Sequence, residues 1–172
     1  MKVLSKAKME SVLDRLGKEA DVFVPMQRGP QTGFFSWKTY NEDIDDLLFD
    51  VLNVYLPPKN IVLPQTEKMY AFKQEGNKVN IDQVFTDAEP KIIFGARACD
   101  VQAINCLDQV FLTRGYVDAY YKSRRDNTTI IANACYTPGP SCFCASMGVN
   151  PTDPEHADII ISDLGQEGYA WE

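Results

Sequence analysis

The stretch Lys91-Ile-Ile-Phe-Gly-Ala-Arg-Ala-Cys-Asp100 decides how this sequence folds. Its first five residues are a short aliphatic run of the kind that makes a buried strand, and Val101, Ile104, Leu107 and Phe111 then recur at helical spacing. A strand over 91–95 leading into a helix from Asp100 to Leu112 is therefore predicted. Two more aliphatic runs lie downstream, Thr128 to Ala134 and Ala157-Asp-Ile-Ile-Ile-Ser162. Near-continuous apolar strands separated by helical stretches imply an α/β fold, with a mostly parallel sheet and flanking helices in the second half. The strands near 91–95, 129–134 and 158–161 are expected side by side.

Working upstream, the pattern weakens. Met9, Val12, Leu13 and Leu16 predict an amphipathic helix over Ser5 to Leu16, capped by Gly17. Val22-Phe-Val24 reads as a short strand closed by Pro25, and Gln27-Arg-Gly-Pro-Gln-Thr-Gly33 as turn or loop. Ile44 to Val54 suits either a buried helix turn or an irregular packed segment. Lys68 to Gln74 and Lys78 to Ile81, flanking Glu75-Gly-Asn77, predict a hairpin. Residues 1–88 are accordingly expected to form a smaller mixed α+β lobe and 89–172 an α/β lobe that carries every cysteine, with one compact domain as the alternative.

The 172 residues are 45% hydrophobic and 24% charged, which fits an ordered globular chain. A net charge of -7, with Lys and Arg outnumbered and scattered, argues against nucleic acid and against an anionic membrane surface as partners. There is no apolar run of about 18 residues and no signal-peptide core, so a cytoplasmic location is expected. Gly95 has no companion glycines to make a dinucleotide loop. There is no Gly-X-Ser-X-Gly elbow, and the lone His156 lacks the neighbours of a catalytic triad.

The chemistry therefore has to come from the thiols. Five cysteines stand at 99, 106, 135, 142 and 144. Cys99 opens the predicted helix, where backbone amides and the helix dipole favour a thiolate and should depress its pKa; the plainer reading is a small residue closing a strand-to-helix turn. Asp100 reads as a helix cap. Cys106 falls at helical spacing beside the apolar stripe and is assigned to the core. Cys135 ends the second strand, at the edge where open α/β sheets bind ligands, and Tyr-Thr-Pro-Gly-Pro-Ser then leads to Cys142-Phe-Cys144. Cys99, Cys135, Cys142 and Cys144 are the candidate metal ligands. Zinc is one alternative and simple buried thiols another; an iron–sulfur cluster is preferred because it accepts thiolates alone, although the spacing matches no common ferredoxin run. Phe143 and Met147 are expected to bury it. Arg124 and Arg125, in Tyr120-Tyr-Lys-Ser-Arg-Arg125, read first as a solvated helix face and otherwise as candidates for balancing its charge or docking an acidic partner, and Arg97 joins them beside Cys99.

Phe94-Gly-Ala-Arg-Ala-Cys-Asp-Val-Gln-Ala-Ile104 with Leu107-Asp-Gln-Val-Phe111, Tyr120-Tyr121 with Arg124-Arg125, and Cys142-Phe-Cys-Ala-Ser-Met-Gly148 together resemble the beta subunits of cytoplasmic sulfhydrogenases and the A-type subunits of anaerobic sulfite reductases. Pro57-Pro-Lys59 and Pro64-Gln-Thr-Glu67 extend the resemblance upstream. It implies an electron-transfer subunit of an anaerobic oxidoreductase complex, not catalytic alone, passing electrons between two partner subunits, one flavin-bearing and NAD(P)-linked, the other catalytic. It also implies two 4Fe-4S clusters in a carboxyl-terminal ferredoxin domain. No Cys-X-X-Cys-X-X-Cys-X-X-X-Cys run occurs here, so a shortened form or an isolated amino-terminal domain is expected, either holding a cluster of its own or positioning that domain as a metal-free interaction module.

Overall fold

The computed structural model describes residues 2–84, 89–165 and 168–171. In chain order the first half carries β1 (Lys2–Leu4), α1 (Met9–Leu16), β2 (Asp21–Arg28), β3 (Gln31–Ser36), β4 (Asp45–Leu47), α2 (Lys59–Val62), β5 (Tyr70–Glu75) and β6 (Lys78–Gln83). The second half carries β7 (Lys91–Ala96), α3 (Ala98–Asp108), α4 (Ala119–Asp126), β8 (Thr128–Asn133), β9 (Ile159–Asp163) and β10 (Tyr169–Trp171). The main sheet runs β1-β10-β9-β8-β7-β2-β3, with β4 also on β2. Its centre is parallel: β2 with β7, β7 with β8, and β8 with β9. The three aliphatic runs thus lie side by side, and strands from both halves of the chain share one sheet.

Successive residues of a strand face opposite sides, and the aliphatic runs use both. Phe94, Ile131 and Ile161 pack under α1 with Met9 and Leu13. Their neighbours Ile93, Ile130 and Ala132 pack on the other side with Val101 and Ile104 of α3, Val62 of α2 and Tyr121 of α4. Two faces covered by helices explain why these strands are apolar throughout and do not alternate.

Pro25 does not close the second strand. β2 continues to Arg28, and the segment read as turn or loop contributes β3. On one edge β2 pairs with β7 over Asp21–Phe23 and with β4 over Met26–Arg28, so Pro25 sits where the partner changes. Its carbonyl points to that edge and accepts from Leu48 N at 2.9 Å, and the missing N–H faces the same gap. Close to Pro25, β7 shifts its register against β8 at Gly95, whose φ is +84 and whose added Cβ would lie 3.4 Å from Pro25 Cδ. The segment from Ile44 opens as the short strand β4 and not as a helix turn. Asp45 fixes it there by accepting from Arg28 Nε and Nη2, both at 2.8 Å, and from Asn41 N at 3.0 Å.

The predicted helix starts two residues early. Asp100 lies inside the first turn of α3, and its Oδ2 accepts from Arg97 N at 3.3 Å. A π-helical turn, Gln109–Thr113, continues it. β5 and β6 form the predicted hairpin as a separate two-stranded sheet. Tyr70, Phe72, Val79 and Ile81 share one exposed face of it, and Tyr120 Oη donates to Met69 O at its base.

Arg124 and Arg125 turn inward. Arg124 is 3% exposed, donates through Nε to Val62 O at 2.8 Å and pairs with Glu67, tying α4 to α2. Arg125 bonds Asp108 and the carbonyl of Thr128, tying α4 to α3 and β8. Replacing Arg124 with Ala strips a buried carbonyl and a half-covered carboxylate of their partner, and should lower unfolding free energy in a urea titration by about 3 kcal/mol. A loss below about 0.5 kcal/mol, the range of ordinary surface changes, would contradict the buried clamp.

Candidate metal centre

The connection from β8 to β9, residues 134–158, contains no α-helix, only a 3-10 turn at Ala145–Met147. Parallel strands are usually joined by a helix, and long connections of irregular structure in compact domains are commonly functional. This one carries Cys135, Cys142 and Cys144. Its course is fixed by backbone bonds: Ala134 N to Ile161 O at 2.8 Å, Cys135 N to Pro151 O at 2.9 Å, and Val149 N to Cys144 O at 2.9 Å.

Cys142 and Cys144 face the start of α3 across a cavity of about 370 Å³. Cys99, Gln102, Ala103 and Cys106 form its helical wall. These four stand at i, i+3, i+4 and i+7, one face of a helix, while Ala98, Val101 and Ile104 make the buried stripe. Cys106 is therefore exposed and lines this cavity, which corrects its assignment to the core. The spacing of these four is legible in the sequence, but it runs beside the apolar stripe, which dominates the pattern.

Cys142 Sγ accepts from Gly139 N at 3.2 Å. Cys99 behaves otherwise than its place on the helix suggests. Burial first, then the neighbouring Asp100 and Cys144, push its thiol up to about 11, outweighing the backbone amides that lower it. Phe143 and Met147 are each 66% exposed, so they rim the cavity mouth and do not cover it.

Cys135 lines a second cavity of about 410 Å³ with Arg97, Asn133, Leu52 and Asp163, at the carboxyl ends of β7, β8 and β9. Its thiol donates to Thr137 O at 3.7 Å. Leu52 stands at the divide: a Cβ on Gly139 would meet Leu52 Cδ1 at 3.1 Å and Cys142 Sγ at 3.8 Å. Arg97 donates from Nη2 to Phe49 O at 3.0 Å and to Val51 O at 2.9 Å, and Asn133 Nδ2 donates to Phe49 O at 3.1 Å. Asn133 is 2% exposed, and its Oδ1 has no hydrogen-bond partner. Composition gave no signal for Asn133 or for the Phe49–Asn53 segment that it holds.

Among the described residues no three His, Cys, Asp or Glu side chains converge closely enough to hold a single metal ion. A cubane cluster distributes its thiolates over four irons, so its ligands stand farther apart than those of one ion. The first cavity offers sulfur ligands with apolar surroundings and neither histidine nor carboxylate, a donor set that fits iron–sulfur chemistry.

Over 122 residues, 70% of its length, the chain is 34% identical to the Sulfhydrogenase 2 subunit beta of Pyrococcus furiosus. It is similar to a sulfhydrogenase beta subunit. The match covers 34% of that relative, so the chain spans about a third of the sulfhydrogenase subunit's length. No family model matches the chain, and no solved structure matches it. No helix of the described residues is long and apolar enough to cross a membrane.

The state of Cys99 is directly measurable. Its alkylation by iodoacetamide in the metal-free chain should be slow at neutral pH, although the residue as a whole is open to solvent, and should keep rising as pH approaches its value of about 11. A rate that levels off near the ordinary thiol range, about 8.5, would contradict the raised pKa.

Proposed function

We propose that this chain is an electron-transfer domain of a subunit in a cytoplasmic anaerobic oxidoreductase complex of the hydrogenase, sulfur-reductase or sulfite-reductase type. It holds an iron–sulfur cluster, of the 4Fe-4S type, on Cys99, Cys135, Cys142 and Cys144. The observation that carries this reading is the convergence of Cys99, Cys142 and Cys144 on one sulfur-lined cavity at the carboxyl edge of a parallel sheet, with Cys135 one strand-end away. When bound, the cluster supplies one-electron transfer.

The chain's own residues prepare the site. Pro138, Gly139 and Pro140 tighten the loop, and the Gly139 amide, donating to Cys142 Sγ, fixes where that sulfur sits. Cys99 has to release its proton on ligation, a cost that coordination meets directly. Arg97, half-buried at the second cavity, brings positive charge towards a centre that gathers several thiolates. Similarity to a sulfhydrogenase beta subunit supports the wider role, in which the partners are a flavin- and NAD(P)-binding subunit together with a catalytic one.

A second reading has its own observation. The exposed apolar face of the β5–β6 hairpin, with Phe72 at 71% and Ile81 at 67%, suits a metal-free interaction domain that positions a ferredoxin-type domain and partner subunits.

Anaerobic reconstitution with iron and sulfide separates the two. The cluster reading expects visible sulfur-to-iron absorption that dithionite bleaches, with a paramagnetic signal in the reduced state, and loss of both in Cys142→Ala and Cys144→Ala. Cys106 shares the first cavity, so Cys106→Ala and Cys135→Ala are compared directly: the proposed ligand set expects the former to keep its iron and the latter to lose it. A chain that takes up no iron in any form leaves the interaction-domain reading.

A further inference from the structure

Phe49 to Asn53 crosses the carboxyl edge of the sheet between the two cavities. Leu52 lines the cavity of Cys135, and Asn53 lines that of Cys99, Cys142 and Cys144. The segment is anchored at both ends. At its start the Phe49 ring packs edge-on against Phe94 at 5.7 Å and Tyr169 at 6.4 Å. Beyond its end, Leu56 N donates to Thr32 O at 2.9 Å, and Tyr55 N donates to Thr32 Oγ1 at 3.0 Å. Between these anchors it belongs to no strand or helix. What holds its middle is the fork of Arg97 on the carbonyls of Phe49 and Val51, seconded by Asn133 on Phe49.

We infer that this segment is a strap across the cluster site, and that Arg97 is a positioning residue which holds Leu52 over the thiols through the two carbonyls it binds. The inference rests on the cluster reading above and adds to it the element that controls solvent access. Three observations carry it. Arg97 is two residues before Cys99, so one short stretch supplies both a thiol and the clamp on the strap. Leu52 Cδ1 reaches within contact distance of Gly139, the residue whose amide bonds Cys142 Sγ. Phe143 and Met147 leave the other side of the thiols open, and Leu52 is the apolar side chain that the strap sets against the Cys142 loop.

A guanidinium can bind two neighbouring carbonyls in a fixed fork, whereas an ammonium cannot hold that geometry. Arg97→Lys therefore keeps the charge and removes the clamp. Leu52→Ala removes the cover and keeps the clamp. Both should loosen the site without dismantling the sheet, because neither side chain belongs to the buried cores.

The test has two arms on the full chain. In the metal-free protein under reducing conditions, alkylation of Cys142 should speed up about ten-fold in each variant, as expected when a local opening becomes easier by that factor. In the reconstituted protein, release of iron to an added chelator should speed up by a similar factor, about ten-fold, and the midpoint potential should move to more positive values, because water now reaches the more highly charged reduced cluster. A purely structural role for Arg97 would lower thermal stability but leave the potential where it was. Unchanged Cys142 labelling, chelator release and potential in both variants overturn the strap. A wild-type chain that binds no iron, with Cys142 labelling nonetheless accelerated in both variants, leaves the strap standing over the thiols and overturns the cluster beneath it.

Discussion

The parallel pairing of β7 between β2 and β8 organises everything else in the molecule. Lys91 to Ile93 are in register with Asp21 to Phe23 on one side, and Lys91 to Phe94 with Thr128 to Ile131 on the other. Because the strands point the same way, their carboxyl ends meet along one edge. Cys99 follows the end of β7 and Cys135 the end of β8, so two thiols far apart in sequence arrive at the same side of the sheet. An antiparallel arrangement of the same strands would have sent them to opposite edges.

The two connections that follow those strands are built differently. After β7 the chain makes α3 and α4, whose apolar stripes cover one face and whose arginines are spent on internal carbonyls and carboxylates. After β8 it makes no α-helix, and its backbone is pinned instead by scattered bonds such as Cys135 N to Pro151 O. The first connection gains its stability from hydrophobic burial. The second is shaped by prolines, glycines and hydrogen bonds, which leaves its side chains available for chemistry. Arg97 and Asn133, at the ends of β7 and β8, then bring a third segment from the first half of the chain over the same edge.

The parts of this fold legible in the sequence are those fixed by local pattern. Ile92-Ile-Phe94, Ile130-Ile-Ala132 and Ile159-Ile-Ile161 are apolar on both faces, and that requires covered strands whatever surrounds them. β3 escaped detection because Gly29-Pro30 reads as a turn and Gly33 as a breaker; only pairing with β2 makes 31–36 a strand. Pro25 misled for a related reason, since its effect depends on which edge of the strand lacks a partner. For the site, the thiols could be picked out by residue type, and the face they share on α3 by spacing. The raised pKa of Cys99 could not, because the amides at a helix start are visible in sequence while burial and the approach of Cys144 are not. The clamp of Arg97 on Phe49 and Val51 joins residues almost fifty positions apart and left no trace in either local pattern.

One edge of the sheet depends on the most distant pairing in the chain. β1, at residues 2–4, is paired with β10, at 169–171, and β10 in turn with β9. Gly168, at φ +124, passes so close to Leu4 that a Cβ there would lie 2.1 Å from the Leu4 carbonyl oxygen. A strand made early on the ribosome must therefore wait for a partner made only after the strands that lie between them in the sheet, its hydrogen-bonding groups meanwhile satisfied by water. Loops that span a whole domain close late and slowly. The central parallel pairs close shorter stretches of chain, which predicts that the carboxyl edge bearing the thiols forms before the outer margin is sealed.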